Sequence, residues 1–384
     1  MNSKLKPKIR FKGFTDDWVQ RKLANVFNYE RPDKYIVSST EYLEFGPTPV
    51  LTANKAFILG YTTEKNKYVN SKESIIFDDF TLDTKFVDFP YMVKSSAIKI
   101  LTLKDATKDN NRFNFELLSN HKFNMLGHAR HYISVVQPEE VFTTNKQEQS
   151  KIGELFTNLD KLITLHQRKC DKLIEIKKSL LEKMFPQNNS VIPEIRFRGF
   201  TDDWEQRKLN DIYTFSQGMQ VEIENQSLNK SVDMEQFIRI IDVTTNSEPP
   251  RYIYNTTGKG HVESNDIFFV RYGAVGTVGY GYTGTIANNL FKLSTNKKYC
   301  NDFMYQQFAN GEFNKKLIEM SASTSMPAIN FSALNSLTFY ETNLDEQNRI
   351  GKLFKSIDNL ITLHQRKHDK LNKIKQSLLN DMFV

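Results

Sequence analysis

Cysteine is nearly absent from this sequence: Cys170 and Cys300 are the two it has, and neither sits in a C-x-x-C pair or beside a histidine cluster. A disulfide framework and a structural zinc site are therefore excluded, and with them redox and structural-metal roles. Long apolar runs are missing too. No stretch approaches the roughly 18 uninterrupted apolar residues of a membrane helix, and the opening MNSKLKPKIRF is charged with no apolar run behind it. The chain is expected in the cytoplasm, with no membrane partner. What is there is an ordinary globular composition, 39% hydrophobic and 12% aromatic in 384 residues, enough for the cores of two or three domains.

The formal charge of +7 invites a nucleic-acid reading, but where it sits matters more than its sum. Residues 1 to 23 carry +5, residues 148 to 185 carry +2 and residues 346 to 384 carry +4, whereas segment 24 to 147 is neutral and segment 210 to 345 carries −4. Any contact that those two bodies make with DNA must come from local clusters.

The sequence is a tandem duplication. IRFKGFTDDWVQRKL at 9 to 23 returns as IRFRGFTDDWEQRKL at 195 to 209, differing only at Lys12/Arg198 and Val19/Glu205. EQSKIGELFTNLDKLITLHQRKCDKLIEIKKSLLEKMF at 148 to 185 returns as EQNRIGKLFKSIDNLITLHQRKHDKLNKIKQSLLNDMF at 346 to 383. The order is lead segment, body, helix, then lead segment, body, helix, and the second body is 12 residues longer. Four regions follow: 1 to 147, 148 to 185, 186 to 345 and 346 to 384. The bodies themselves do not align, so one scaffold carries two different heads.

In the first helix Ile152, Leu155, Leu159, Leu162, His166, Lys169, Leu173, Ile176 and Leu180 fall at alternating spacings of three and four, the a/d pattern of a coiled coil. Ile350, Leu353, Ile357, Leu360, His364, Lys367, Leu371, Ile374 and Leu378 repeat it. Asn145 with Glu148, and Asn343 with Glu346, make capping-box-like starts, and Pro186 ends the first helix. At 1.5 Å per residue each helix spans about 57 Å, a spacer rather than a core helix. Each helix either covers its own body or pairs with the other; a strict heptad over five repeats favours an antiparallel pair. Such a pair sets His166 and Lys169 against His364 and Lys367 as a polar layer that fixes register.

The bodies read as mixed α/β. YIVSS, TPVLTA, AFILGYT, SIIFDDF and SAIKILTL in the first, and QFIRIIDV, DIFFVRYGAVGTVGY and NLFKLST in the second, have strand character; helical stretches lie near 113 to 125 and 302 to 320. Enzyme-like motifs fail one by one. Gly273, Gly276, Gly279 and Gly281 sit in a β-rich stretch with no amphipathic helix behind it, and read as a hairpin with close backbone approach rather than a phosphate loop. Pro32-Asp33 with Asp83 and Lys85 only loosely follows a metal-nuclease pattern, and the second body has no counterpart. Gly127-His128-Ala129-Arg130-His131 has no partner carboxylate motif and reads as an exposed basic loop. Asn-Pro-Pro-Phe and Asp-Pro-Pro-Tyr tetrapeptides of adenine methyltransferases are absent. No catalytic or metal-binding constellation is left, and the chain itself calls for no cofactor.

Basic and amide residues beside aromatics in turn-rich segments remain. In the first body these are Tyr42, Asn54, Lys55, Thr81, Lys85, His128 and Arg130; in the second, Gln217, Gln220, Arg251, Tyr252, Arg271, Tyr272, Asn288 and Asn289. Arg and Lys pair with guanine O6/N7 and Asn or Gln with adenine N6/N7, so these side chains suit base reading in a major groove of double-stranded DNA; each alone is more often an ordinary solvated surface group. Two different heads on an antiparallel spacer, with internal pseudo-two-fold symmetry, lead to a bipartite, gapped, asymmetric target.

At this point a resemblance covers nearly the whole chain. The L-I-T-L-H-Q-R-K helix ending in S-L-L-x-x-M-F, the E-Q-x-x-I-G helix start, and TPVLTANKAFILGYT, SIIFDDFTLDTKFVDFP and DIFFVRYGAVGTVGY look like the specificity subunit of bacterial type I restriction-modification enzymes. The resemblance implies an α/β protein of two target-recognition domains joined by two long helices in an antiparallel coiled coil. It further implies docking to two modification subunits, which methylate adenine with S-adenosylmethionine, and to restriction subunits, which use ATP and Mg²⁺. This chain would recognise without doing chemistry. Two rival readings stand beside it: a coiled-coil adaptor whose heads bind protein, and a self-contained restriction nuclease or methyltransferase. The −4 charge of the second body implies that partners or helices share the phosphate grip, and that the isolated chain binds DNA weakly.

Overall fold

A computed structural model of the chain describes residues 6–54, 56–69, 73–124, 130–187, 190–321 and 328–384. The chain divides into two compact units. One comprises Met1–Gln167 with Arg366–Val384, the other Arg168–Gln365. Each therefore contains one body, the N-terminal half of the helix that follows it and the C-terminal half of the other helix. The helices are Lys146–Lys183 and Leu344–Met382.

In the first unit a four-stranded antiparallel sheet runs in the order Phe27–Glu30, Ile98–Leu103, Ser74–Asp78, Thr84–Val87. A smaller sheet pairs Thr48–Leu51 antiparallel with Ile58–Thr62 and parallel with Met92–Val93. Strand Ser74–Asp78 lies between two cores, which is why its sequence is a continuous apolar run. Ile75 and Phe77 face Trp18, Phe113 and Phe156, while Ile76 faces Leu51, Tyr91 and Val93. YIVSS, expected as a strand, instead gives a 3-10 turn at Asp33–Tyr35 and a single bridge from Ile36 to Val93.

The second unit has the same plan. Thr214–Gln217, Leu290–Ser294, Phe268–Val270 and Val278–Gly279 form a four-stranded sheet in the same sequential order, all antiparallel. Arg251–Ile253, Glu235–Ile238 and Gly284–Ile286 repeat the smaller sheet with its one parallel pair, and His261–Val262 adds a fourth strand. The bodies that resist alignment in sequence thus share a topology. The glycine-rich stretch is a hairpin: Phe268 pairs with Gly279, where an added Cβ would come within 2.1 Å of the Phe268 ring.

The repeated residues contact one another. In the first unit the Arg10 guanidinium donates to both oxygens of buried Glu148, at 2.6 and 2.8 Å, and the Ile9 N–H donates to the Asp381 carbonyl at 2.9 Å. In the second, Arg196 holds Glu346 at the same two distances, and the Ile195 N–H donates to the Lys183 carbonyl at 2.8 Å. Each lead segment thus ties down one helix start and one helix end. Asn145 and Asn343 cap the helices, accepting from the Glu148 and Glu346 N–H groups at 3.0 and 2.9 Å, while the two glutamate side chains turn to the arginines. The lead strands pair in equivalent places, Val19–Lys22 with Glu140–Thr143 and Glu205–Lys208 with Thr338–Glu341. Short helices Asn111–Asn120 and Asn301–Ala309 lie against the long ones, where Phe113 stacks on Phe383 and Phe303 on Phe185, both at 5.3 Å. Gly153 and Gly351 permit that approach, since a Cβ there would lie 2.5 Å from Asn110 Oδ1 and 2.7 Å from Cys300 Sγ.

Within each unit the helix halves run antiparallel. In the second, Cys170 meets Gln365 and Lys177 meets Asp358 at 2.7 Å, so seven residues forward on one helix is seven back on the other. In the first, Lys375 meets Asp160 at 2.8 Å, the repeat counterpart of the Lys177 pair.

The seam differs from the expected one at every second position. Ile152, Leu159, Ile350 and Ile357 are buried and Leu155, His166, Leu173, Leu180, Leu353, His364, Leu371 and Leu378 are half-buried, but Leu162, Lys169, Ile176, Leu360, Lys367 and Ile374 are exposed. Their C-terminal neighbours take their place: Ile163, Cys170, Lys177, Ile361, His368 and Lys375, with Phe156 and Phe354 fully buried one heptad earlier. The a-to-d step is four residues, not three. Lys177 and Lys375 enter the seam paired with Asp358 and Asp160. Lys169 and Lys367, expected in a polar seam layer, are exposed instead, while His166 and His364 are half-buried as expected.

Candidate nucleic-acid interface

The residues picked for base reading fall into groups. In the second body, Gln217 Nε2 donates to the Asn288 carbonyl at 2.5 Å, Asn288 Nδ2 donates to Gln220 Oε1 at 3.2 Å, and Gln220 Nε2 donates to Glu222 at 3.1 Å. Adjacent Asn289 accepts the Arg271 N–H at 2.8 Å through its carbonyl, while its Oδ1 is buried with no partner among the described residues. The Arg271 guanidinium lies over the Phe291 ring at 5.7 Å, and exposed Tyr272 makes a backbone bridge to Ala328. Gln217, Gln220, Arg271, Tyr272, Asn288 and Asn289 therefore gather where strands Thr214–Gln217 and Phe268–Val270 end and Leu290–Ser294 begins. Arg251 and Tyr252 lie apart, on a strand of the smaller sheet; Arg251 Nε is buried and unpaired among the described residues, and Tyr252 pairs through its backbone with Ser227.

The first body gathers fewer. Thr81 and Arg130 meet around exposed Phe80: the Arg130 guanidinium lies over that ring at 5.7 Å, and the Thr81 hydroxyl donates to Asp83 at 2.9 Å. This is the loop leaving strand Ser74–Asp78, the topological counterpart of Phe268–Val270. Tyr42 packs on Val37, Val50 and Met92; Asn54 is an exposed turn residue whose carbonyl accepts the Phe57 N–H at 3.2 Å; Lys85 is half-buried on strand Thr84–Val87. Those three do not join Arg130. Lys55 and His128 lie outside the described residues.

Sequence reasoning passed over what holds these loops. Asp79 and Lys99 form a buried ion pair at 2.9 Å, the Tyr132 N–H donates to Asp79 Oδ1 at 2.7 Å and the His131 N–H donates to the Asp79 carbonyl at 2.9 Å. A charged residue in the apolar run SIIFDDF was the available signal, since a buried carboxylate persists only when paired. In the second body, His261 on the added strand bridges Glu235 at 2.5 Å and Glu263 at 3.0 Å, and these two carboxylates, Glu263 foremost, hold its imidazole above the ordinary value. Lys292 Nζ donates to the His261 carbonyl and to Asp266.

A second surface lies on the long helices. Leu162, Leu165 and Ile374 in the first unit are 44%, 45% and 38% exposed, and their counterparts Leu360, Leu363 and Ile176 in the second are 44%, 45% and 41% exposed. Lys375 bonds Asp160, which places neighbouring Ile374 beside the turn that carries Leu162. Among the described residues no group of His, Cys, Asp and Glu is arranged to hold a metal, and no helix is long and apolar enough to cross a membrane.

Comparison with known proteins agrees with this layout. The type I restriction modification DNA specificity domain matches twice, over residues 15–175 and 201–373. The chain belongs to that family. The Type I restriction enzyme EcoR124I/EcoR124II specificity subunit of Escherichia coli is 43% identical over 98 residues, covering 25% of this chain and 24% of that protein. The MjaVIII specificity subunit of Methanocaldococcus jannaschii is 22% identical over 253 residues, 61% of this chain and 59% of that one. The matches thus take in less than two thirds of these relatives' lengths. The crystal structure of the type I S subunit from M. genitalium has the same fold, with a TM-score of 0.70 over 99% of both chains at 15% identity.

Proposed function

We propose that this chain is the sequence-specific DNA-recognition subunit of a type I restriction-modification complex, working in the cytoplasm and non-catalytic itself. It reads a bipartite, gapped, asymmetric target, one half with each body. The observation that carries this reading is the pairing of two bodies of equal topology and different loop residues with one repeated scaffold: shared parts hold, differing parts read. The exposed leucine and isoleucine stripe, present once in each unit, supports docking of two modification subunits, one per unit. S-adenosylmethionine, ATP and Mg²⁺ belong to the modification and restriction subunits. The modest charge of the bodies makes the assembled complex, rather than the isolated chain, the tight DNA binder.

Two measurements test the reading. Mapping methylated adenines in a genome expressing this chain with its modification subunit should return a gapped, asymmetric motif; an ungapped motif would sink the proposal. Leu162→Ser with Leu165→Ser, or Leu360→Ser with Leu363→Ser, should release one modification subunit in gel filtration while leaving the chain's own stability within about 0.5 kcal/mol. Turnover by the purified chain alone with S-adenosylmethionine, Mg²⁺ and DNA would favour an enzyme instead.

A further inference from the structure

We infer that Arg130 and Arg271 are the guanine-reading side chains of the two bodies, one for each half of the target. This rests on the recognition reading above and adds to it which residues read and which base they take.

Most arginines with a defined partner in this chain serve the scaffold or a body's own packing. Arg10, Arg21, Arg112, Arg196, Arg207 and Arg239 each hold a carboxylate at hydrogen-bond distance. Arg130 and Arg271 do not: no carboxylate among the described residues is in salt-bridge range of either, and the remaining residues include no Asp or Glu. Each is instead oriented by an aromatic face, Phe80 and Phe291, both at 5.7 Å. Each also springs from a pinned backbone. Arg130 precedes the two N–H groups anchored on Asp79, and Arg271 is bound on both sides, its N–H to Asn289 and its carbonyl by the Ile329 N–H at 2.8 Å. Arg271 directly follows strand Phe268–Val270, and Arg130 packs on Phe80 in the loop that leaves Ser74–Asp78, the topological counterpart of that strand.

A planar fork held in one orientation, with its donors unspent, matches the paired O6 and N7 acceptors of guanine in a major groove. A phosphate is also gripped by lysine as a point charge, so the lysine variants separate guanine reading from a phosphate contact. The amide donors of Gln217, Asn288 and Gln220 are by contrast already spent, on the Asn288 carbonyl, Gln220 and Glu222.

The test uses the whole complex, with wild-type chain, Arg130→Gln, Arg130→Lys, Arg271→Gln and Arg271→Lys, and maps methylated adenines genome-wide. Arg130→Gln should relax a single guanine position in one half, and Arg271→Gln a single guanine in the other, with discrimination there falling about tenfold or more. The lysine variants should not restore it. Chain folding is checked by thermal melting, and sites still methylated by the lysine variants report the motif if a glutamine variant is too weak. Three results overturn the assignment: a wild-type half-site with no guanine, an unchanged motif in the glutamine variants, or uniform weakening that lysine rescues and that lowers the salt slope by about one, the mark of a phosphate contact. A wild-type complex that yields no gapped motif would remove the recognition reading itself, an outcome distinct from these three.

Discussion

The lead segments agree at 13 of 15 positions and the long helices at 25 of 38 in the two halves of the chain, whereas the bodies share only their strand order. The difference follows from what each part touches. Repeated residues meet other repeated residues: Arg10 with Glu148 and Arg196 with Glu346, Trp18 with Phe383 and Trp204 with Phe185, Asp160 with Lys375 and Asp358 with Lys177. A change in one such partner leaves a buried charge or a cavity in the other. In the bodies the cores need only apolar side chains of suitable volume, and the loops at the sheet ends need only point outward, so sequence drifts while topology stays.

The sharpest way to break this comparison is to cut the equivalent clasps. Arg10→Ala and Arg196→Ala should each cost about 3–5 kcal/mol, because Glu148 and Glu346 are left charged and buried. Denaturant unfolding of the two variants should give losses equal within about 1 kcal/mol; a much smaller loss in one would show that the copies are not mechanically alike.

The seam ion pairs should differ where the surroundings differ. Lys375 faces Asp160 and, at 3.7 Å, buried Glu116, whereas Lys177 faces Asp358, which neutral Gln306 also contacts. Lys375→Met should therefore cost more than Lys177→Met, roughly 1–3 kcal/mol against about 1. Burial already raises the Glu116 carboxyl above its usual 4.5, opposed by Arg112 and Lys375. Removing Lys375 raises it further, so the folded state binds the extra proton and the variant should regain stability as pH falls toward 4.5 from above. Equal pH profiles for the two variants would contradict the asymmetry.

Smaller effects test the register. Ile163→Ala should lose roughly 1 kcal/mol and Leu162→Ala less than about 0.5, since Leu162 is 44% exposed; the reverse order would restore the three-residue step. The added strand of the second body offers the smallest effect. His261 should titrate above its usual 6.5 in NMR. Its pairing with Glu235 and Glu263 is complete just below pH 6.5 and lost as pH rises through the raised value, with a correspondingly modest change because the ring is 37% exposed. An imidazole titrating at or below 6.5 would show that the bridge does not form.

Much of this was legible in the residues. The duplication, the long helices and their pairing sense, the hairpin of the glycine-rich stretch and strands such as Ser74–Asp78 follow from repeats and periodicity. The common topology of the bodies was not, because strand order depends on which apolar faces meet, and many sequences satisfy that. The seam was displaced because Cys170, Lys177, His368 and Lys375 look like surface residues until their partners are known. Around the candidate interface, Arg130, Arg271 and the amide group were visible by type; Phe80 and Phe291 were not, being ordinary aromatics, and the Asp79–Lys99 anchor showed only as a charged residue in an apolar run.

The most direct measurement exchanges residues 24 to 147 for the corresponding body of another family member and maps methylated adenines in the resulting complex. One half of the motif should change, with the other half and its gap retained. Both halves changing together, or neither, would contradict the division between a scaffold that is repeated and heads that read.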